Sequence, residues 1–124
     1  MPSPDDTSLD PAMFVARRDA GEPLVLIDVR FPIERWWKRI PGAVTAPAGF
    51  VTPRLPALPP GALPVLHCHG GVRTRAAVRK LRAQGHGVLH LEGGIAAWIA
   101  AGFPVVSGKE TSTDDSPPAD PGVR

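Results

Sequence analysis

Cys68-His69-Gly70-Gly71-Val72-Arg73-Thr74 gathers a thiol, two glycines, a guanidinium and a hydroxyl into seven consecutive positions. A thiolate is a nucleophile, and it needs nearby positive charge or N–H donors to persist near neutral pH. Glycines at 70 and 71 permit positive φ and carry no Cβ, so successive backbone amides can turn inward as an anion nest at the start of a helix. Arg73 adds a planar fork able to hold two oxygens of an anion, and Thr74 can hydrogen-bond the loop backbone. The alternative is that Cys68 is a small buried hydrophobe ending a strand and that Gly70-Gly71 is only a turn. It is the single cysteine of the chain, which excludes an internal disulfide or a multi-cysteine metal site.

His67 and His69 flank the thiol. His67 points to the opposite face if it belongs to a strand, so it is not expected to serve the sulfur. His69 falls within the loop, at its rim, where it can touch substrate. His86 and His90 read as a loop and a strand residue, and two lone histidines make no metal site.

The elements that hold this segment follow from the apolar pattern. Runs of branched apolar residues at 24–29, 63–67 and 88–91, with a shorter one at 44–46, have the character of strands buried on both faces. Asp10 as N-cap, Pro11 at the first helical position and Gly21 beyond the end predict a helix from 11 to about 19. Residues 73–84 carry Ala77, Val78 and Leu81 on one side and Arg75, Arg79, Lys80 and Arg82 elsewhere, an amphipathic helix stopping at Gly85. A second short helix over 95–101 is anchored by Trp98. Buried strands alternating with helices imply an α/β domain with a parallel sheet and helices on both faces. The reactive segment then lies at the carboxyl end of a parallel strand, the edge at which such sheets bind ligands.

At 124 residues the chain has room for one domain. The segments 1–8 and 107–124 are rich in Pro, Ser, Asp and Thr and read as disordered tails around a core over 9–106. A net charge of +2 with scattered arginines does not indicate a nucleic-acid partner. With neither a long apolar run nor a secretory signal, no membrane partner is expected, and the protein reads as a cytoplasmic monomer without metal or cofactor. Of Trp36 and Trp37, one is expected in the core and the other partly exposed. Arg35, Lys38, Arg39 and Arg54 read as a solvated surface, or else as a basic field that draws anions to the site.

The segment 68–74 resembles the active-site loop of the rhodanese family, Cys-x-x-Gly-x-Arg-[Ser/Thr], through Cys68, Gly71, Arg73 and Thr74. Three further stretches resemble family motifs in the same order. They are 27–34 (the Asp-Val-Arg-x-Pro-x-Glu segment), 40–43 (Ile-Pro-Gly-Ala) and 91–105 (the closing Leu-Glu-Gly-Gly…Gly-Phe-Pro-Val signature). The departures are Phe31 after Asp-Val-Arg, Arg35 in place of an aromatic, and Lys38-Arg39 where Gly-His often stands.

The resemblance implies a single rhodanese-like domain with a five-stranded parallel sheet. It implies a sulfurtransferase in which Cys68 carries sulfane sulfur as a persulfide, with His69, Gly70, Gly71, Val72, Arg73 and Thr74 binding substrate. The partners would be a small anionic donor such as thiosulfate and a thiophilic acceptor, which could be cyanide, a thiol or a protein. Asp28 and Arg30 are expected to brace the sheet edge. Two other functions compete. A related phosphatase or arsenate reductase would need five residues between Cys and Arg, whereas four intervene here, 69–72. A non-enzymatic rhodanese module for protein interaction or sulfur relay would not need both Cys68 and Arg73.

Overall fold

Leu26 and Ile27, adjacent in one strand, are both buried but join different apolar clusters, which is what a sheet covered on both faces requires. The structure, a computed structural model, describes residues 7–45 and 57–108. Its elements run β1 (Ser8–Leu9), α1 (Pro11–Asp19), β2 (Leu24–Asp28), α2 (Pro32–Trp37), β3 (Val44–Thr45), β4 (Leu63–His67), α3 (Val72–Ala83), β5 (Leu89–Leu91) and α4 (Gly94–Ala100). The five strands form one sheet in the order β1-β5-β4-β2-β3, and every pairing is parallel. β2 and β4 pair along their whole length, from Leu24 opposite Leu63 to Asp28 opposite His67.

One cluster places Phe14, Val15, Leu26, Val65, Leu91, Ile95 and Trp98 between the sheet and helices α1 and α4. The other places Ile27, Val29, Leu66 and Cys68 against Ala77, Val78 and Leu81 of α3. Trp98 anchors α4 as expected. It meets Phe14 edge-on at 6.1 Å, lies 5.0 Å from Phe103, and donates its indole N–H to the Pro104 carbonyl at 2.8 Å. Asp10 caps α1 by accepting from the Met13 N–H at 2.7 Å, a bond of a kind worth about 1 kcal/mol. None of the helices in the described residues is long and apolar enough to cross a membrane.

The strands expected at 24–29, 63–67 and 88–91 form with ends within one residue, and β3 covers 44–45, with Ala46 outside the described residues. Three points differ from expectation. The segment assigned to an N-terminal tail contributes a strand: the Thr7 carbonyl accepts from the His90 N–H at 2.8 Å, and Ser8 pairs with His90. A two-residue edge strand has no periodicity to read, so only its partner reveals it. The second concerns α2, whose residues carry family motifs but show no apolar face directed inward. It forms because Pro32 fits the first helical position and the Glu34 carboxylate accepts the Phe31 N–H at 3.0 Å. The third is at the other end, where the tail was expected to begin at 107. Gly108 instead donates its N–H to the Trp36 carbonyl and accepts from Arg39 Nη1, each at 2.6 Å.

Candidate active site

β4 ends at His67, so Cys68 is the first residue past the carboxyl edge of a central strand, and α3 starts four residues later at Val72. The turn between them depends on Gly71, whose φ of +94° aims its N–H at the cysteine. That amide donates to Cys68 Sγ at 3.1 Å. Thr74, in the first turn of α3, donates its hydroxyl to the Gly71 carbonyl at 3.2 Å while its oxygen lies 3.7 Å from Sγ. The sulfur therefore sits in a small polar cup closed by one backbone amide and one hydroxyl, and Cys68 is only 1% exposed.

The cup is fastened from behind by α4. The Ile95 and Ala96 amides donate to the Cys68 and His69 carbonyls at 2.9 and 3.0 Å. These are helix N-terminal donors that would otherwise lack partners. The approach is possible only because residue 94 is glycine: a Cβ there would lie 2.4 Å from the Cys68 oxygen and 2.6 Å from the His69 oxygen.

Arg73 turns from α3 towards α2 and meets Glu34 through two parallel bonds, Nη1 to Oε1 at 3.1 Å and Nη2 to Oε2 at 2.9 Å. The bond to Glu34 raises the arginine pKa against partial burial, with smaller rises from the charge of Glu34 and from Cys68. Reciprocally, the Arg73 bond holds the Glu34 carboxyl below its usual range.

A second charged layer lies beneath, centred on Asp28, which is fully buried. Its carboxylate accepts from the Arg30 backbone N–H, from Arg30 Nε and Nη2, and from Arg35 Nη1, all at 2.9–3.0 Å. Burial alone would raise the Asp28 pKa. The proximity of His67 and the charge and hydrogen bonds of Arg30 reverse that and hold it at about 2. His67 is buried completely, with Nε2 3.7 Å from Asp28 Oδ2 and Nδ1 3.4 Å from the Cys68 carbonyl. Burial lowers its pKa, so the ring is neutral at pH 7 and tethers strand to loop without meeting the sulfur. Arg30 also donates to the Lys38 carbonyl at 2.6 Å, tying the end of α2 to this layer. Asp28 and Arg30 thus brace the sheet edge as expected.

Of the residues expected to serve the site, Cys68, Gly71, Arg73 and Thr74 come together around the sulfur. His69 and Gly70 form the exposed outer lip of the loop, and Val72, 82% exposed, points away. The basic cluster is corrected in part. Arg35 and Arg39 are buried, the first on Asp28 and the second donating to the Arg35 and Gly108 carbonyls, so they form neither a solvated surface nor an open basic field. Arg54 lies outside the described residues. The tryptophan expectation is also corrected: Trp36 is 58% and Trp37 74% exposed, because Arg35 takes the inward position of α2. Two residues that shape the site were given no role from sequence. Glu34 and Gly94 had their places in the family motifs over 27–34 and 91–105 as signals, but a motif does not say what its members touch.

Two clefts flank the loop. One, of about 330 Å³, is bordered by Glu34, Trp37, Lys38, His69, Ile95 and Ile99, with Arg30 behind. The other, of about 360 Å³, runs along Gly70, Gly71 and Val72 to Arg75, Ala76 and Arg79.

A family model described as rhodanese-like domain matches residues 10–101. An Allochromatium vinosum protein named Sulfurtransferase is 37% identical over 87 residues, covering 69% of this chain and 81% of that protein. An uncharacterised Synechocystis protein is also 37% identical over 87 residues, again 69% of this chain, and there the match spans only 49% of the relative's length. Among solved structures, a rhodanese-related protein from Thermoplasma volcanium superimposes with a TM-score of 0.68 at 28% identity, covering 80% of this chain and 96% of that one.

Proposed function

The chain belongs to the rhodanese-like family, and from that premise we propose that it is a sulfurtransferase whose Cys68 accepts a sulfane sulfur as a persulfide and passes it to a thiophilic acceptor. The observation that carries the reading is the Gly71 N–H directed at Cys68 Sγ at 3.1 Å, in a loop whose Arg73 is held by Glu34. The thiolate is the attacking species in such chemistry, and the Gly71 amide is a hydrogen-bond donor already aimed at the sulfur that would carry the charge.

With thiosulfate as donor, the Cys68 thiolate attacks the outer sulfur and the S–S bond of the donor breaks. Sulfite leaves with the bonding electron pair, and Cys68 carries the terminal sulfur. That sulfur stands about 2 Å beyond Sγ, one disulfide-type bond length, which moves the reactive atom from the buried cup towards the loop mouth. Arg73 offsets the negative charge that enters with the anionic donor. In the second step an acceptor nucleophile attacks the terminal sulfur, the persulfide bond breaks, and the pair returns to Cys68 as thiolate. Gly71, Thr74 and the α4 amides hold the loop in one geometry through both steps.

The spacing of the loop favours this chemistry over phosphate transfer. Four residues separate Cys68 from Arg73, and the described amide is aimed at the sulfur itself and not at a surrounding ring of oxygens. Steady-state assays of sulfite release from thiosulfate with cyanide as acceptor test the proposal, run beside hydrolysis of an aryl phosphate. Turnover of sulfur by the wild type, its loss in Cys68→Ser and no phosphate release are expected. Efficient phosphate hydrolysis, or sulfur turnover that survives Cys68→Ser, would overturn it.

A further inference from the structure

The α2 helix turns its large apolar residues outward. Trp37 is 74% exposed, and across the cleft from it Ile99 of α4 is 39% exposed, while Ile95 supplies a buried apolar wall. Isolated exposed apolar residues need no explanation, but here they border one concavity of about 330 Å³, within the size range of small-molecule sites. Three bordering residues are tied directly to the nucleophile's loop. Glu34 holds Arg73, His69 follows Cys68, and the Ile95 amide bonds the Cys68 carbonyl. Arg30 is matched by Asp28 and Glu34 by Arg73, so the cation that this border offers to a ligand is the exposed ammonium of Lys38.

We propose that this cleft is the acceptor site, and that it takes a small thiol with an aromatic or aliphatic body and an anionic group. The body would lie between Trp37, Ile95 and Ile99, with the anion at Lys38 and the thiol directed past His69. The inference rests on the sulfurtransferase reading and specifies its acceptor. The acceptor thiolate attacks the terminal sulfur of the Cys68 persulfide. A new S–S bond forms, the Cys68 S–S bond breaks, and Cys68 leaves as thiolate, so the acceptor departs as its persulfide with no outside oxidant or reductant. A volume of this size holds one small organic molecule, which favours a free thiol over a folded protein inside the cleft. Trp37 and Ile99 are then the residues that set acceptor specificity.

Two measurements decide the matter separately. The first is a proton–nitrogen NMR titration with 4-methylbenzoate, an unreactive stand-in, which needs no sulfur loading. Saturable shifts are expected at the Trp37 indole N–H and at the His69 and Ile99 amides. The absence of saturable shifts, or shifts confined to the Arg75–Arg79 cleft, would overturn the proposal. The second compares kcat/KM for 4-mercaptobenzoate and for 2-mercaptoethanesulfonate, which has the charge but no aromatic body, using protein preloaded with sulfur. Trp37→Ala, checked for folding by circular dichroism, is expected to lower the ratio of the two by about tenfold, as loss of an aromatic contact should. An unchanged ratio would contradict the cleft's role. If Cys68 cannot be loaded by any donor, the sulfurtransferase reading falls and the NMR titration alone decides whether the cleft binds such a ligand.

Discussion

Arg73 and Glu34 face each other as a two-pronged ion pair, 3.1 and 2.9 Å between their paired atoms, at the mouth of the cup that holds Cys68. The pairing occupies one planar edge of the guanidinium, the edge that a donor's oxygens would also prefer. Arg73 is therefore held beside the sulfur by a competitor for its own ligand. Arg73→Ala should lower kcat/KM for thiosulfate about tenfold to a hundredfold, the equivalent of the 1.5–3 kcal/mol typical of a charge-assisted bond. It also leaves the Glu34 carboxylate uncompensated, which repels an anion. Glu34→Gln should act in the opposite direction and lower KM for thiosulfate. Uncharged sulfane donors should respond less to either change. Equal losses for charged and uncharged donors in folded Arg73→Ala would mean that Arg73 organises the loop and does not hold the donor.

Stability should fall with acid in two stages, coupled through the contact between His67 and Asp28. His67 is buried and its pKa is lowered, so below about its ordinary value of 6.5 the unfolded chain takes a proton that the folded chain refuses. Stability is therefore lost as pH falls from 7 towards 5, and His67→Gln should flatten that part of the profile. Asp28 is depressed to about 2 from 3.8, so the stability it supplies is complete above about pH 4 and disappears as pH falls towards 2. Urea midpoints measured across this range check both stages. A wild-type midpoint that does not change between pH 7 and 5 would contradict the neutral assignment of His67.

Breaking the buried layer should be severe. Asp28→Asn leaves the Arg30 and Arg35 guanidinium groups buried without their carboxylate, a change that costs about 3–5 kcal/mol for buried pairs. The midpoint of thermal unfolding would show it. A loss below about 1 kcal/mol, the range of exposed pairs, would mean that water reaches the layer.

Gly94→Ala tests the fastening of the loop. Its Cβ would fall on the Cys68 and His69 carbonyls, so the loop must move and sulfur transfer should drop steeply. Gly85→Ala is the control. It too has a positive φ but open space around it, so only the left-handed backbone penalty of about 1–2 kcal/mol is expected, with sulfur transfer retained. Equal activity losses in the two variants would show that backbone strain, and not the approach of α4 to the loop, controls the site.

The parts legible in the sequence were those encoded by local pattern. The branched runs gave β2, β4 and β5, Asp10-Pro11 gave the start of α1, and Cys68 to Thr74 gave the nucleophile's turn. What was not legible depends on distant partners. Ser8 is a strand residue only because His90 lies beside it. Arg35 and Arg39 look like surface charge until Asp28 and the Gly108 carbonyl are placed against them. With Arg35 turned inward in so short a helix, Trp36 and Trp37 are left outside, the reverse of what their apolarity alone suggests. The acceptor cleft belongs to this second kind, since Trp37 and Ile99 are 62 positions apart in the chain.

The central claim is that Cys68 carries the transferred sulfur, and intact-mass spectrometry of the protein after incubation with thiosulfate or an organic persulfide reads it directly. The account predicts a gain equal to one sulfur atom in the wild type, its removal by cyanide or a thiol, and no gain in Cys68→Ser. A wild-type mass unchanged by every sulfane donor, or an equal gain in Cys68→Ser, would contradict it.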